Sequence, residues 1–149
     1  MDEMQAAILR LKLAHIGRWT EARQAIAARY DEAFEGTRVR TQELLAHSTS
    51  AYHLYTIRIE GRDQVRDALK AAEIGCGVYY PQPLHRQSCF AAQDGRIQSS
   101  AAGSGDTPQA HCPNADALSA SVLSLPCFPG LRAAEQERII EVVLGALEG

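Results

Sequence analysis

Residues 51–81 read AYHLYTIRIEGRDQVRDALKAAEIGCGVYYP, and the spacing of their apolar positions changes twice within that span. The first part, AYHLYTIRI from Ala51 to Ile59, is rich in aromatic and β-branched side chains and predicts a strand. Strand alternation puts His53, Tyr55, Ile57 and Ile59 on one face and Tyr52, Leu54, Thr56 and Arg58 on the other. On that face His53 reads as a satisfied core or interface histidine. Helical spacing then takes over: Asp63 suits a first turn, Val65, Ala68, Leu69 and Ala72 form the buried stripe, and Gly75 is expected at the C′ position. The span closes with CGVYYP, a second strand ended by Pro81. Strand, helix and strand in that order predict a sheet backed by helices.

On the N-terminal side, Met4, Ile8 and Leu11 recur at helical spacing, as do Leu9, Leu13 and Ile16, and Ala22, Ile26, Tyr30 and Phe34 continue the pattern. Asp2 followed three residues later by Gln5 resembles a capping box. Gly17 costs about 1 kcal/mol relative to alanine in a helix interior, so a kink or break is expected there, with Trp19 packing beyond it. The apolar band of this first helix is wide enough to call for a second surface.

On the C-terminal side, the stretch 91–110 loses all periodicity and predicts a mobile loop. Asn114 is expected to cap a short helix running to about Ser121. VLSLPCFPG follows as a strand-like segment broken by Pro126 and Pro129. A last helix from about Ala133 buries Ile139, Ile140, Val143, Leu144 and Leu147, with Glu135 and Glu137 near its positive end. The fold expected is an α/β (α+β-like) small domain over residues 1–149, a sheet of about three strands with helices packed on it, preceded by a long or broken N-terminal helix.

A chain of 149 residues with 46% hydrophobic content and a net charge of -3 suits one globular domain without staples. Its charges form no block of either sign, which argues against a nucleic-acid or membrane partner. No apolar run approaches the roughly 20 residues that span a bilayer, and the acidic start MDEMQAAILR is not that of a signal peptide. The cytosol is therefore the expected compartment, with Cys76, Cys89, Cys112 and Cys127 as reduced thiols. Their separations match no usual zinc spacing, and His111 beside Cys112 is weak support for a metal site.

Catalytic signatures are sparse. No G-x-S-x-G, papain-type cysteine or phosphate-binding P-loop occurs. Lys12 and Lys70 both sit in charged helical surroundings, unlike a desolvated Schiff-base amine. His15 and His47 read as surface residues. What remains is GVYYPQPLH, Gly77–His85, where Pro81 and Pro83 fix two φ angles and hold Tyr80 and Gln82 extended. The stiffened turn aims Tyr79, Tyr80 and His85 in set directions, and a tyrosine face with its hydroxyl suits a sugar or a nucleotide. The other reading is a strand-end corner whose tyrosines finish the core.

Four stretches in order, MDEMQAAILRLKLAHIGRWTEARQAIAARYDE, AYHLYTIRI, GVYYPQPLH and LSASVLSLPCFPGL, resemble the nucleotide-sugar aminotransferases of the DegT/StrS type. The resemblance covers nearly the whole chain outside 91–110, and it is to the C-terminal small domain of such an enzyme, from an internal methionine of the family pattern onward. It implies a fold type I, pyridoxal-phosphate-dependent homodimer that moves an amino group, commonly from glutamate, onto a keto sugar attached to a nucleotide. It also implies that the cofactor lysine, the aspartate under the pyridine nitrogen and most phosphate ligands belong to the large domain. On that view no pyridoxal phosphate is bound by this chain alone, and the chain alone does not transaminate. Tyr80 matches a family tyrosine facing the sugar nucleotide, Tyr79 stands where many relatives carry histidine, and His85 matches the histidine of a PLH element. The competing expectation is a free-standing, non-catalytic module that binds a nucleotide sugar or self-associates.

Overall fold

The computed structural model describes residues 2–87 and 112–148; the loop expected at 91–110 and Cys89 lie outside them. The described elements are α1 (Glu3–Leu13), α2 (Ile16–Phe34), β1 (Tyr55–Arg58), α3 (Arg62–Ala71), a 3-10 turn (Leu84–Arg86), α4 (Pro113–Ser121), β2 (Val122–Leu125) and α5 (Ala133–Glu148). Among the described residues no helix is long and apolar enough to cross a membrane.

The architecture is a mixed α/β small domain, and among the described residues the sheet has two strands rather than the expected three or so. β1 pairs antiparallel with β2 in the register Tyr55↔Leu125 to Arg58↔Val122. Single bridges extend it on each side, Arg40↔Arg58 and Gly77↔Ser124. The span expected to be strand, helix and strand is therefore split: β2 fills the gap between β1 and the segment at Gly77. CGVYYP shrinks to one bridge for a simple reason. The next bonded pair toward the chain start needs an N–H at the position opposite Gly75, which is Pro126, and proline has none. In the other direction the chain bends away at Tyr79 and again at Pro81–Gln82.

β1 is shorter than AYHLYTIRI. The Ser50 hydroxyl accepts from the Tyr52 amide at 3.1 Å, and Tyr52 has φ 43°, so residues 51–54 turn instead of extending. That turn breaks the expected alternation. Tyr52 enters the core, while His53 is exposed, against the expectation of a core or interface histidine. Tyr55, Ile57 and Ile59 are buried as the pattern predicted.

The helices follow their stripes with local shifts. In α3, Val65 and Leu69 are buried, yet the left-handed C′ residue is Glu73 (φ 60°), not Gly75. The Ile74 amide donates to Leu69 O at 2.9 Å and the Glu73 amide to Lys70 O at 3.0 Å, the bond pattern of a Schellman cap. Ile74 can then fold back against the core. α4 opens with Pro113 at its first position after Cys112, one residue before the cap expected at Asn114. α5 starts at Ala133 as expected, and the Glu135 carboxylate caps it by accepting from the Arg132 amide at 2.9 Å. Ile139, Ile140 and Val143 are buried, while Leu144 and Leu147 are half-buried.

The N-terminal helix is broken, but at Ala14–His15 rather than at Gly17. Gly17 falls in the first turn of α2, where amides need no intrahelical partner, so its cost there is small. Asp2 caps α1 by accepting from the Met4 amide at 3.0 Å. Nothing in α1 is buried, and Met4, Ile8, Leu9, Leu11 and Leu13 are all exposed.

The core lies between the sheet and α2, α3 and α5. Its largest side chains are Tyr30 and Phe34 of α2 and Tyr55 of β1. Tyr30 stacks on Tyr55 with centroids 4.8 Å apart and on Phe34 at 5.9 Å.

Candidate functional site

The chain leaves α3 through its left-handed cap and runs beside the end of β2. There Gly77 and Ser124 exchange both backbone hydrogen bonds, at 3.0 and 2.7 Å. The ring of Tyr79 folds back over Gly77. A Cβ at residue 77 would lie 2.5 and 2.8 Å from two ring carbons and 2.9 Å from the hydroxyl oxygen, so any side chain there would push the ring away. Glycine at this position lets the ring lie against the backbone.

Tyr79 is 52% and Tyr80 is 73% exposed, with the two rings edge to face at 6.0 Å. The alternative that these tyrosines finish the core is overturned by that exposure. Tyr79 joins Cys76, Gly77, His53 and the segment Ser124–Phe128 around an open groove of about 490 Å³. Tyr80 and His85 are not among the residues lining it. The structure thus brings the three residues onto one short segment without gathering them into one pocket.

His85 sits in the 3-10 turn, and its side chain is only 13% exposed. Its Nε2 lies 3.3 Å from Asp116 Oδ1 in the first turn of α4. Arg86 forks onto the same carboxylate, Nε at 2.6 Å from Oδ1 and Nη2 donating to Oδ2 at 2.9 Å. The Arg86 hydrogen bonds, with the charges of Arg86 and His85, hold the Asp116 carboxyl below the usual carboxylate range. The position at a helix N-terminus favours the anion further. Gln82 Nε2 donates to Arg86 O at 2.6 Å and closes the turn from the other side.

Sequence reasoning missed Asp116, Arg86 and Phe128. Arg86 and Asp116 are far apart in the chain, so local spacing could not pair them. Phe128 carried a signal, since prolines flank it at 126 and 129. It stands 47% exposed beside the groove. The thiols of Cys76 and Cys127 also line the groove, and burial pushes both upward in pKa, away from the thiolate that nucleophilic chemistry needs. Among the described residues no group of three or more His, Cys, Asp or Glu could hold a metal ion.

Residues 1–144 match the DegT/DnrJ/EryC1/StrS aminotransferase family, and the chain belongs to that family. It is 37% identical over 149 residues to the UDP-N-acetyl-3-dehydro-alpha-D-glucosamine 3-aminotransferase of Acidithiobacillus ferrooxidans, covering 100% of this chain and 37% of that relative. It is 34% identical over 144 residues to a dTDP-3-amino-3,4,6-trideoxy-alpha-D-glucose transaminase of Streptomyces venezuelae, covering 96% of this chain and 35% of the relative. Among solved structures, S. venezuelae DesV in complex with a ketimine intermediate superposes with a TM-score of 0.81 at 33% identity, over 100% of this chain and 37% of that one. The Brucella abortus family member gives 0.80 at 35% identity, over 100% and 36%. The chain thus spans little more than a third of the length of these relatives.

The family is pyridoxal-phosphate-dependent, and a Streptococcus pneumoniae relative has been solved in its PLP-form. The described residues do not fit that cofactor. Lys12 and Lys70 are exposed on α1 and α3, and neither lines the groove beside Tyr79. No desolvated amine is offered to an aldehyde.

The depressed carboxyl fixes how acid should act on this site. A carboxylate whose folded pKa lies below its unfolded value contributes stability above the unfolded value, near 4, and loses it as the pH falls through the folded one. We expect the 84–86 turn to stay docked on α4 at neutral pH and to release in strong acid. Asp116→Asn should release it already at pH 7, seen as faster amide exchange at Arg86 and Gln87 with the rest of the domain unchanged. Equal protection in both proteins would contradict this anchoring role.

Proposed function

We propose that this chain forms the substrate-side part of a nucleotide-sugar aminotransferase, with Tyr79 and Tyr80 as its sugar-nucleotide contacts and His85 as the residue that fixes their turn. The carrying observation is the pair of tyrosine rings held exposed on a segment fastened at Ser124 and Asp116. Exposed aromatic rings cost solvation unless something covers them, and a ring face with a hydroxyl at its edge matches a sugar or base. Phe128 across the groove adds a second apolar face. His85 is too enclosed to be a main contact; its part is to hold the turn through Asp116.

In the family's reaction pyridoxal phosphate supplies the electron sink for moving an amino group. Neither Lys12 nor Lys70 is placed to form a Schiff base with its aldehyde, so no step through the cofactor is assigned to this chain. In a protein of the relatives' length, the cofactor lysine belongs to the portion this chain does not cover, and a homodimer completes the site. The chain's family supports both, and the exposed lysines described above support the first.

The test is an NMR titration of the 149-residue chain with a dTDP- or UDP-linked keto sugar. Shifts should concentrate at Tyr79, Tyr80 and 126–128, and Tyr80→Ala should weaken binding about fivefold, the order of one aromatic contact. The same samples given glutamate and pyridoxal phosphate should form no amino sugar. Shifts confined elsewhere, or turnover by the chain alone, would contradict the reading.

A second reading, a non-catalytic module that self-associates, rests on α1. Its exposed Met4, Ile8, Leu9, Leu11 and Leu13 make an apolar surface that the other described residues leave uncovered. Light scattering separates the two. This reading expects a dimer that Leu9→Glu with Leu13→Glu dissociates, and a monomer at high concentration removes it.

A further inference from the structure

Of the twelve described arginines, five meet a carboxylate and seven do not. Arg29, Arg62, Arg66, Arg86 and Arg132 each meet a carboxylate of the described residues. Arg40 and Arg58 do not, and they stand directly opposite each other. Arg40 N donates to Arg58 O at 2.9 Å and Arg58 N to Arg40 O at 2.8 Å. In such a bonded antiparallel pair the Cα atoms are about 5.5 Å apart, and both side chains leave the same face. That face points outward, because the alternating neighbours Val39, Ile57 and Ile59 are buried. Like charges directly opposed across a pair are destabilising, and neither guanidinium has an ion-pair partner among the described residues.

We propose that Arg40 and Arg58, with Arg38, bind a phosphate-bearing small molecule, a phosphate monoester or a diphosphate. These three arginines and a single carboxylate, Glu60, line a cleft of about 450 Å³. Arg38 is steadied there by donating to the Leu147 carbonyl at the end of α5. The hydroxyls of Thr37 and Ser121, also on the cleft, already donate to Phe34 O and Ala117 O, which leaves the guanidinium N–H groups as its side-chain donors. Arg40 and Arg58 also line a larger cleft that carries Asp31, Glu32, Glu35 and Glu43, so an anion is favoured on the Arg38 side only. Two opposed guanidinium forks need more than the two oxygens and single charge of a carboxylate. A phosphate offers three or more oxygens and a second charge.

The site is separate from the Tyr79 groove, and its test does not depend on the function proposed for that groove. The 149-residue chain is titrated with inorganic phosphate, pyrophosphate, acetate and chloride at constant ionic strength, reading backbone shifts at Arg40 and Arg58. Saturable shifts with the two phosphates alone are expected. Arg40→Gln and Arg58→Gln should each weaken binding about tenfold or more, the loss of a charge-assisted contact, while Arg10→Gln on exposed α1 should change nothing. Melting curves confirm that the variants fold. A flat response, an equal response to acetate, or binding that survives the double Arg40→Gln, Arg58→Gln variant would overturn the proposal. Charge that merely guards the edge of the sheet would then account for the pair.

Discussion

The stack of Tyr30 on Tyr55 is the contact on which the rest of the domain depends. Both rings are buried, and both hydroxyls are satisfied: Tyr30 donates to Pro126 O at 3.0 Å and Tyr55 to Asp31 Oδ1 at 2.6 Å. Burial comes first among the causes that raise both phenol pKa values, and the Asp31 bond adds to it for Tyr55, so the hydroxyls remain donors. An aromatic pair contributes about 0.5–1.5 kcal/mol beyond its area, and each hydrogen bond about 1 kcal/mol. The larger effect is topological. One pair of side chains ties α2 to β1 and, through Pro126, to the end of β2.

That tie reaches the groove. Pro126 is where β2 stops and where the segment bearing Cys127 and Phe128 begins, so the tyrosine that closes the core also sets one wall of the cleft. The opposite wall hangs on β2 as well, through the bridge from Ser124 to Gly77. The turn beyond it is fastened to α4 by Asp116. Three short-range constraints hold a segment whose two tyrosines stay in solvent. A surface that costs solvation and is held this firmly is consistent with one that meets a ligand.

Much of this fold was legible as periodicity, and what was not legible was long-range. The stripes of α2, α3 and α5 and the core face Tyr55, Ile57 and Ile59 follow directly from residue spacing. The insertion of β2 between β1 and Gly77 does not, because sequence order cannot show which strand fills a gap. His53 was misplaced because a serine turn at Ser50 and a left-handed Tyr52 flip the alternation, and neither residue type advertises it. The α3 cap went to Glu73 instead of Gly75 because the fold-back of Ile74 into the core outweighed the preference for glycine. At the site, the two prolines did mark a stiff turn. The assignment of Tyr79, Tyr80 and His85 came from family resemblance, and the anchor that gives His85 its place, Asp116, has no local signal.

The central claim is that the wall proposed to face substrate is prebuilt by the domain's own core. The most direct measurement is a nuclear Overhauser spectrum of the unliganded chain, read between the Gly77 Hα protons and the Tyr79 ring. The account predicts a strong cross-peak, because the space a Cβ would occupy is filled by that ring. It also predicts that Tyr30→Phe, which keeps the ring but removes the hydrogen bond to Pro126 O, weakens the cross-peak while the domain stays folded. A Tyr79 ring that averages freely in the intact domain, with no contact to Gly77, would contradict it.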